Sequence, residues 1–166
     1  TPAHVGNPGT CGYGIFDGVN DYVALPNSFD NQQGSFTITA WINPSNLDRG
    51  SRIFADDESN SQGYAFSLGD PGSGKLRFYS RGVTPISVDT LASVIPTNTW
   101  TFVAAVHDVN AKTREIYVNG VAQIVTGNEL SNTYSGSWGV DNGIASIGGE
   151  TDLGEIANRF TGAIDE

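Results

Sequence analysis

Apolar and polar residues alternate along most of this chain with a period of two, the spacing of strands rather than of helices. In SFTITAWINP, residues 35–44, Phe36, Ile38, Ala40 and Ile42 fall on one face and Thr37, Thr39 and Trp41 on the other. YGIF (13–16) and DYVALP (21–26) flank the turn-forming DGVN. RIFA (52–55), YAFSL (64–68), KLRFYS (75–80) and ISVDTL (86–91) continue the pattern, broken by turn text such as GDPGSG. WTFVAAVHDV (100–109) is a continuous apolar run, as expected of a strand covered on both faces. In REIYVNGVAQIV (114–125) two strand-like runs flank Asn119-Gly120, the dipeptide best suited to a two-residue type I′ hairpin. IASIGGE (144–150) and RFTGAIDE (159–166) close the series.

About ten to thirteen short strands follow from this reading, at the spacing of a sandwich or jelly roll. No segment has a helical period; GEIANR (154–159) could form at most one turn of helix. The expected architecture is all-β, a two-sheet antiparallel sandwich over residues 13–166. Residues 1–12, opening TPAHVGNPGT, read as a linker or extended arm. No repeat and no second domain is evident within the chain.

Composition narrows the function. The 21 glycines carry no collagen-like period and read as turn residues. Charged residues make up 16% of the chain and the formal net charge is -10. Such a surface repels phosphate backbones and anionic lipids, so no nucleic-acid partner is expected. No apolar run approaches spanning length, so membrane insertion is not expected either. Excess carboxylate suits a hard cation such as calcium, or it keeps an exported protein soluble. Cys11, the only cysteine, has no intrachain partner.

The ordered set FDGVNDYVALP, SFTITAWINP, WTFVAAVHD, REIYVNG, IGG and RFTGAIDE resembles the laminin G-like (LamG, concanavalin A-like) jelly roll, in the branch common among bacterial surface proteins. The nearer resemblance is to the LamG domain of MSHA pilus biogenesis proteins of the MshQ type. No single motif is specific; their order is, and it covers nearly the whole chain after residue 12. The resemblance implies two curved antiparallel sheets and a last strand that runs on beyond Glu166. It also implies a part in a larger secreted or cell-surface protein, extracellular or periplasmic, whose other domains would be partners.

The same resemblance implies a structural calcium ion where the chain ends meet. Its ligands would be the side chains of Asp165 and Asp17, with carbonyls of Gly18 or Gly34, a mix that suits calcium's demand for about six to eight oxygens. The competing reading is that Asp17 caps a turn and Asp165 is a solvated strand end. ADDESNS (55–61) reads as a solvated hairpin tip. For a sugar ligand the aromatics Trp41, Trp100, Trp138, Tyr64, Tyr79 and Tyr134 matter. Trp41 and Trp100 sit in strand patterns and read as packing. Tyr134 and Trp138 lie in NTYSGSWGVDNG, among small polar residues, where Asp141 and Asn142 could join them in a ligand-binding rim. Glu150 and Asp152 could meet the same edge.

An enzyme is not expected. The E-x-D-x-E pattern and S-x-D-x-G-x-T-W repeats are absent. His107 beside Asp108 is adjacency, not triad geometry. The chain reads as a non-catalytic module for a glycan or protein ligand, with a protein scaffold and a remnant hydrolase as the alternatives.

Overall fold

The computed structural model describes residues 3–5, 12–26, 33–47, 50–59, 62–127, 129–139, 143–152 and 155–165. In chain order the strands are β1 (Ala3–Val5), β2 (Tyr13–Asp17), β3 (Val23–Ala24), β4 (Phe36–Pro44), β5 (Ser51–Ser59), β6 (Gln62–Leu68), β7 (Leu76–Ser80), β8 (Val83–Thr84) and β9 (Ser87–Asp89). Then follow β10 (Thr101–Asp108), β11 (Thr113–Val118), β12 (Val121–Ala122), β13 (Asn132–Thr133), β14 (Ser135–Gly136), β15 (Ser146–Ile147), β16 (Glu150–Asp152), β17 (Glu155–Ala157) and β18 (Thr161–Asp165). The excess over the expected number consists of two- and three-residue strands too short to leave a period in the sequence.

An eight-stranded sheet runs β1-β2-β18-β4-β10-β11-β12, with β13 also on β11; a six-stranded sheet runs β3-β15-β5-β6-β7-β9. All pairings are antiparallel, and the two sheets form a sandwich. β14 pairs with β8, and β16 with β17, as small separate ribbons. Residues 155–157, read as a turn of helix, are therefore the return strand of a hairpin. Glu150 faces Ala157 there, and the exchanged backbone bonds outweigh a local helical preference.

Alternation sets the core. Ala40 and Ile42 of β4, Val103 and Ala105 of β10, and Ile116 and Val118 of β11 meet Tyr64, Phe66 and Leu68 of β6 and Phe78 of β7 in one cluster. β10 is the most covered strand of its sheet, as its apolar run implied. The β11–β12 hairpin turns at Asn119 (φ 50°) and Gly120 (φ 79°), the paired left-handed residues of a type I′ turn. Trp41 stays on the outer face, with its ring 5.5 Å from that of Phe102. Trp100 packs edge-on against Tyr13 at 5.1 Å.

Candidate functional site

The residues expected to hold calcium do not converge. β18 sets Thr161 opposite Asp17 and carries Asp165 four residues further on, roughly 13 Å along the sheet. Asp165 faces Trp41 on β4, and Gly34 lies beyond Phe36, itself five residues or roughly 16 Å from Trp41. Asp17 caps its own turn. Its Oδ1 accepts from the amides of Val19 at 2.7 Å and Asn20 at 3.3 Å, and these bonds hold its pKa below the usual carboxylate value. Gly18 is the next residue of that turn. The Gly34 carbonyl accepts instead from His107 Nδ1 at 3.0 Å. Among the described residues no three His, Cys, Asp or Glu side chains gather as a metal site. These donors do not fit a calcium ion where the chain ends meet.

Tyr134 and Trp138 lie inside the sandwich, 7% and 8% exposed, rather than at a rim. The Trp138 ring stacks 4.0 Å from His107 and lies 5.4 Å from Tyr64 and 5.6 Å from Phe36. The Gly34 carbonyl can only accept, so His107 Nδ1 carries the proton and Nε2 accepts from the Tyr134 hydroxyl at 2.7 Å. Burial holds His107 in the neutral form, its pKa below 6.5, and pushes the Tyr134 pKa up. The small residues around Trp138 read as loop, but β14 anchors them to β8 and turns the aromatic inward. Asp141 and Asn142 lie outside the described residues, as does Cys11.

The ADDESNS segment also differs from its reading. β5 continues to Ser59, and Asp56 and Asp57 are buried. Asp57 is held by Arg81 through two bonds, Nε to Oδ1 at 2.6 Å and Nη2 to Oδ2 at 3.0 Å. Burial nevertheless keeps its carboxyl above the ordinary range. Asp57 looked solvated because its cationic partner lies 24 residues away.

That pair belongs to a cleft on the outer face of the six-stranded sheet. On β7 and just after it, Leu76, Phe78 and Ser80 turn to the core, so Arg77, Tyr79 and Arg81 turn out. The register aligns Tyr79 with Ala65 and Ala55, and Arg77 with Ser67 and Arg52, so small side chains form the floor. A hollow of ≈ 190 Å³ opens between Arg52, Arg77, Tyr79, Arg81, Asp70 and Ile86–Ser87 at the start of β9. Arg52 donates to Glu150 Oε2 at 2.5 Å, to Asp70 Oδ2 at 2.7 Å and to the Gly50 carbonyl at 3.1 Å. Asp70 also accepts from the Ser67 hydroxyl, and Glu150 from Asn158 Nδ2 at 3.0 Å. Arg77 grips Asp89 through Nε at 2.7 Å and Nη2 at 2.8 Å, which raises the arginine's pKa. The Tyr79 ring carries the guanidinium carbons of Arg52 and Arg81, each 5.2 Å from its centre. Gly50 has φ +64°, and a Cβ there would lie 2.1 Å from Asp70 Oδ1, so only glycine lets that carboxylate approach.

Sequence reasoning named Tyr79 among six aromatics and passed over the arginines. The signal was present in RFYSR, 77–81, where Arg, Tyr and Arg recur every second residue of an otherwise apolar strand. Glu150 joins this cleft, not the edge near Asp141; the Asp152 side chain is outside the description.

Residues 17–166 match the sequence profile of the concanavalin A-like lectin/glucanases superfamily, in its laminin G group. The chain belongs to this family. No curated protein matches its sequence. Domain 4 of AbnA, a GH43 extracellular arabinanase from Geobacillus stearothermophilus, solved with arabinotriose, superposes with a TM-score of 0.67 at 20% identity, covering 99% of this chain and 72% of that one. The sialidase module CBM40 of Ruminococcus gnavus, bound to α2,3 sialyllactose, gives 0.62 at 15% identity, covering 80% and 72%. The LG4-5 domains of mouse laminin α1 give 0.65 at 15% identity, covering 90% of this chain and 38% of that one. At such identities the likeness concerns the fold. Among the described residues of this laminin G-like domain, no helix is long and apolar enough to cross a membrane.

Proposed function

We propose that this laminin G-like domain is a non-catalytic binding module that takes a glycan in the cleft around Arg52, Tyr79 and Arg77. One observation carries the reading: a hollow on a sheet face whose walls are arginine–carboxylate pairs with hydrogen-bonding capacity left over. The Nη2 of Arg52 and Nη1 of Arg77 make no hydrogen bond among the described residues, and the walls offer carboxylate lone pairs beside them. A sugar hydroxyl both donates and accepts, and such a wall matches it. Fold-mates solved with arabinotriose and sialyllactose support a sugar ligand as the first class to test.

Catalysis fits poorly. Glycoside hydrolysis needs one carboxyl kept protonated and open to the scissile bond. Asp70, Asp89 and Glu150 are each engaged by a guanidinium group in an ion pair rather than aimed at a scissile bond. Asp57, whose pKa burial raises, has a side chain only 1% exposed and is gripped by Arg81. The setting we infer is a bacterial surface protein acting in adhesion or pilus assembly, extracellular or periplasmic. Its support is the order of the sequence motifs.

A protein ligand is the second reading, favoured by the outer face of the eight-stranded sheet. Trp41 and Ile15, each 38% exposed, lie there beside Phe102. Two variants separate the readings on an immobilised-oligosaccharide array. Arg77→Gln abolishes binding if the cleft is the site, whereas Trp41→Ala leaves it intact. Binding that survives Arg77→Gln would refute the proposal.

A further inference from the structure

We infer that the cleft selects uncharged saccharides and excludes those bearing carboxylate or sulfate groups. This rests on the reading of the cleft as a glycan site and adds the chemical class of the ligand. Three guanidinium groups, of Arg52, Arg77 and Arg81, look at first like an anion trap. Each is already neutralised. Arg52 is shared by Asp70 and Glu150, Arg77 is gripped by Asp89 at two points, and Arg81 by Asp57 at two points. Among the described residues three cations therefore face four carboxylates, a local balance of minus one within a chain of net charge -10. An anionic ligand would have to displace a carboxylate from a charge-assisted bond or sit against it, and like charges held close in a partly dry site repel strongly.

The pairing suits hydroxyls. A fork that has spent two N–H groups on a carboxylate keeps others, and the carboxylate keeps lone pairs, so donor and acceptor stand side by side at fixed spacing. Stacking contributes little. Tyr79 is only 7% exposed and already carries two guanidinium groups, so recognition runs through hydroxyl orientation rather than through an aromatic platform. Specificity then lies in the pattern of hydroxyls around the ring, where an unmatched polar group is costly.

The test is an array of neutral, sialylated, uronic-acid and sulfated oligosaccharides. It is probed with the wild-type chain, with Arg77→Gln, and with the double variant Asp70→Asn, Asp89→Asn. Asp70 lines the cleft and Asp89 pairs with its Arg77; their side chains are 21% and 19% exposed, and the exchange turns the local balance from minus one to plus one. The expected result is wild-type signal confined to neutral glycans and lost in Arg77→Gln. The double variant, checked for folding by its thermal melt, should gain about tenfold for carboxylated probes. Wild-type signal on sialylated or sulfated glycans that is lost in Arg77→Gln would overturn the selectivity while keeping the cleft as the glycan site. No signal on any probe, or signal indifferent to Arg77→Gln, would overturn the glycan reading and the selectivity with it.

Discussion

Replacing Arg52 with methionine removes the keystone of the cleft while keeping much of its apolar stem. The Glu150 side chain, 8% exposed, would lose its 2.5 Å partner and keep, among the described residues, Asn158 at 3.0 Å. Stranding one member of a buried ion pair costs about 3–5 kcal/mol, because the remaining charge stays out of water without compensation. The second pair, with Asp70, is 21% exposed on the acid side and adds at most about 1 kcal/mol. For a chain of this size 1 kcal/mol shifts the melting midpoint by roughly 2–4 °C, so 3–5 kcal/mol predicts a fall of roughly 6–20 °C. Adding Glu150→Gln removes the orphaned charge and should recover a large part of the loss. Calorimetry of wild type, both single variants and the double variant gives the coupling energy directly. A loss below about 1 kcal/mol in Arg52→Met, or no recovery in the double variant, would refute the claim that a buried charge network builds the cleft.

The folded chain binds the His107 proton less readily than the unfolded chain, because burial lowers its pKa below 6.5. Stability is therefore full above 6.5 and declines as pH falls through that value toward the folded pKa; urea midpoints across this window should show the slope, and His107→Gln should remove its share of it. Tyr134→Phe leaves His107 Nε2 without its donor in a buried site and should cost about 1–3 kcal/mol by urea unfolding. Two glycines separate backbone strain from crowding. At Gly120 (φ +79°) an added Cβ meets nothing within 4 Å, so Gly120→Ala should cost only the left-handed penalty of about 1–2 kcal/mol. Gly50→Ala (φ +64°) should cost more, since its Cβ also drives Asp70 away, and it should weaken glycan binding where Gly120→Ala does not.

The sandwich was legible because its signals are local. Residues 36–42 bury Ala40 and Ile42 and expose Thr37, Thr39 and Trp41, as a period of two requires. Asn119-Gly120 carries its turn in its own backbone. The site was not legible, for two reasons. Its ion pairs join residues 12 to 98 positions apart, so each arginine looked unattached in the text. Outward positions of a concealed sheet face also read like core, so the pattern singled out Tyr79 only as an aromatic and passed over Arg77 and Arg81. Conversely, polarity misled around Trp138, where small residues allow close packing against β8 rather than a loop at the surface. Motif resemblance carried the fold correctly, but the calcium ligands it implied are separated by the register of β18 against β2 and β4.

The most direct test of the account is an amide NMR titration of the chain with the strongest neutral oligosaccharide from the array. The account predicts that shifts gather on the outer face of the six-stranded sheet, at Arg52, Arg77, Tyr79 and Arg81 and at Ile86–Ser87 where β9 begins, and vanish in Arg77→Gln. Shifts gathered instead around Trp41, Ile15 and Phe102, with the cleft residues unmoved, would contradict it.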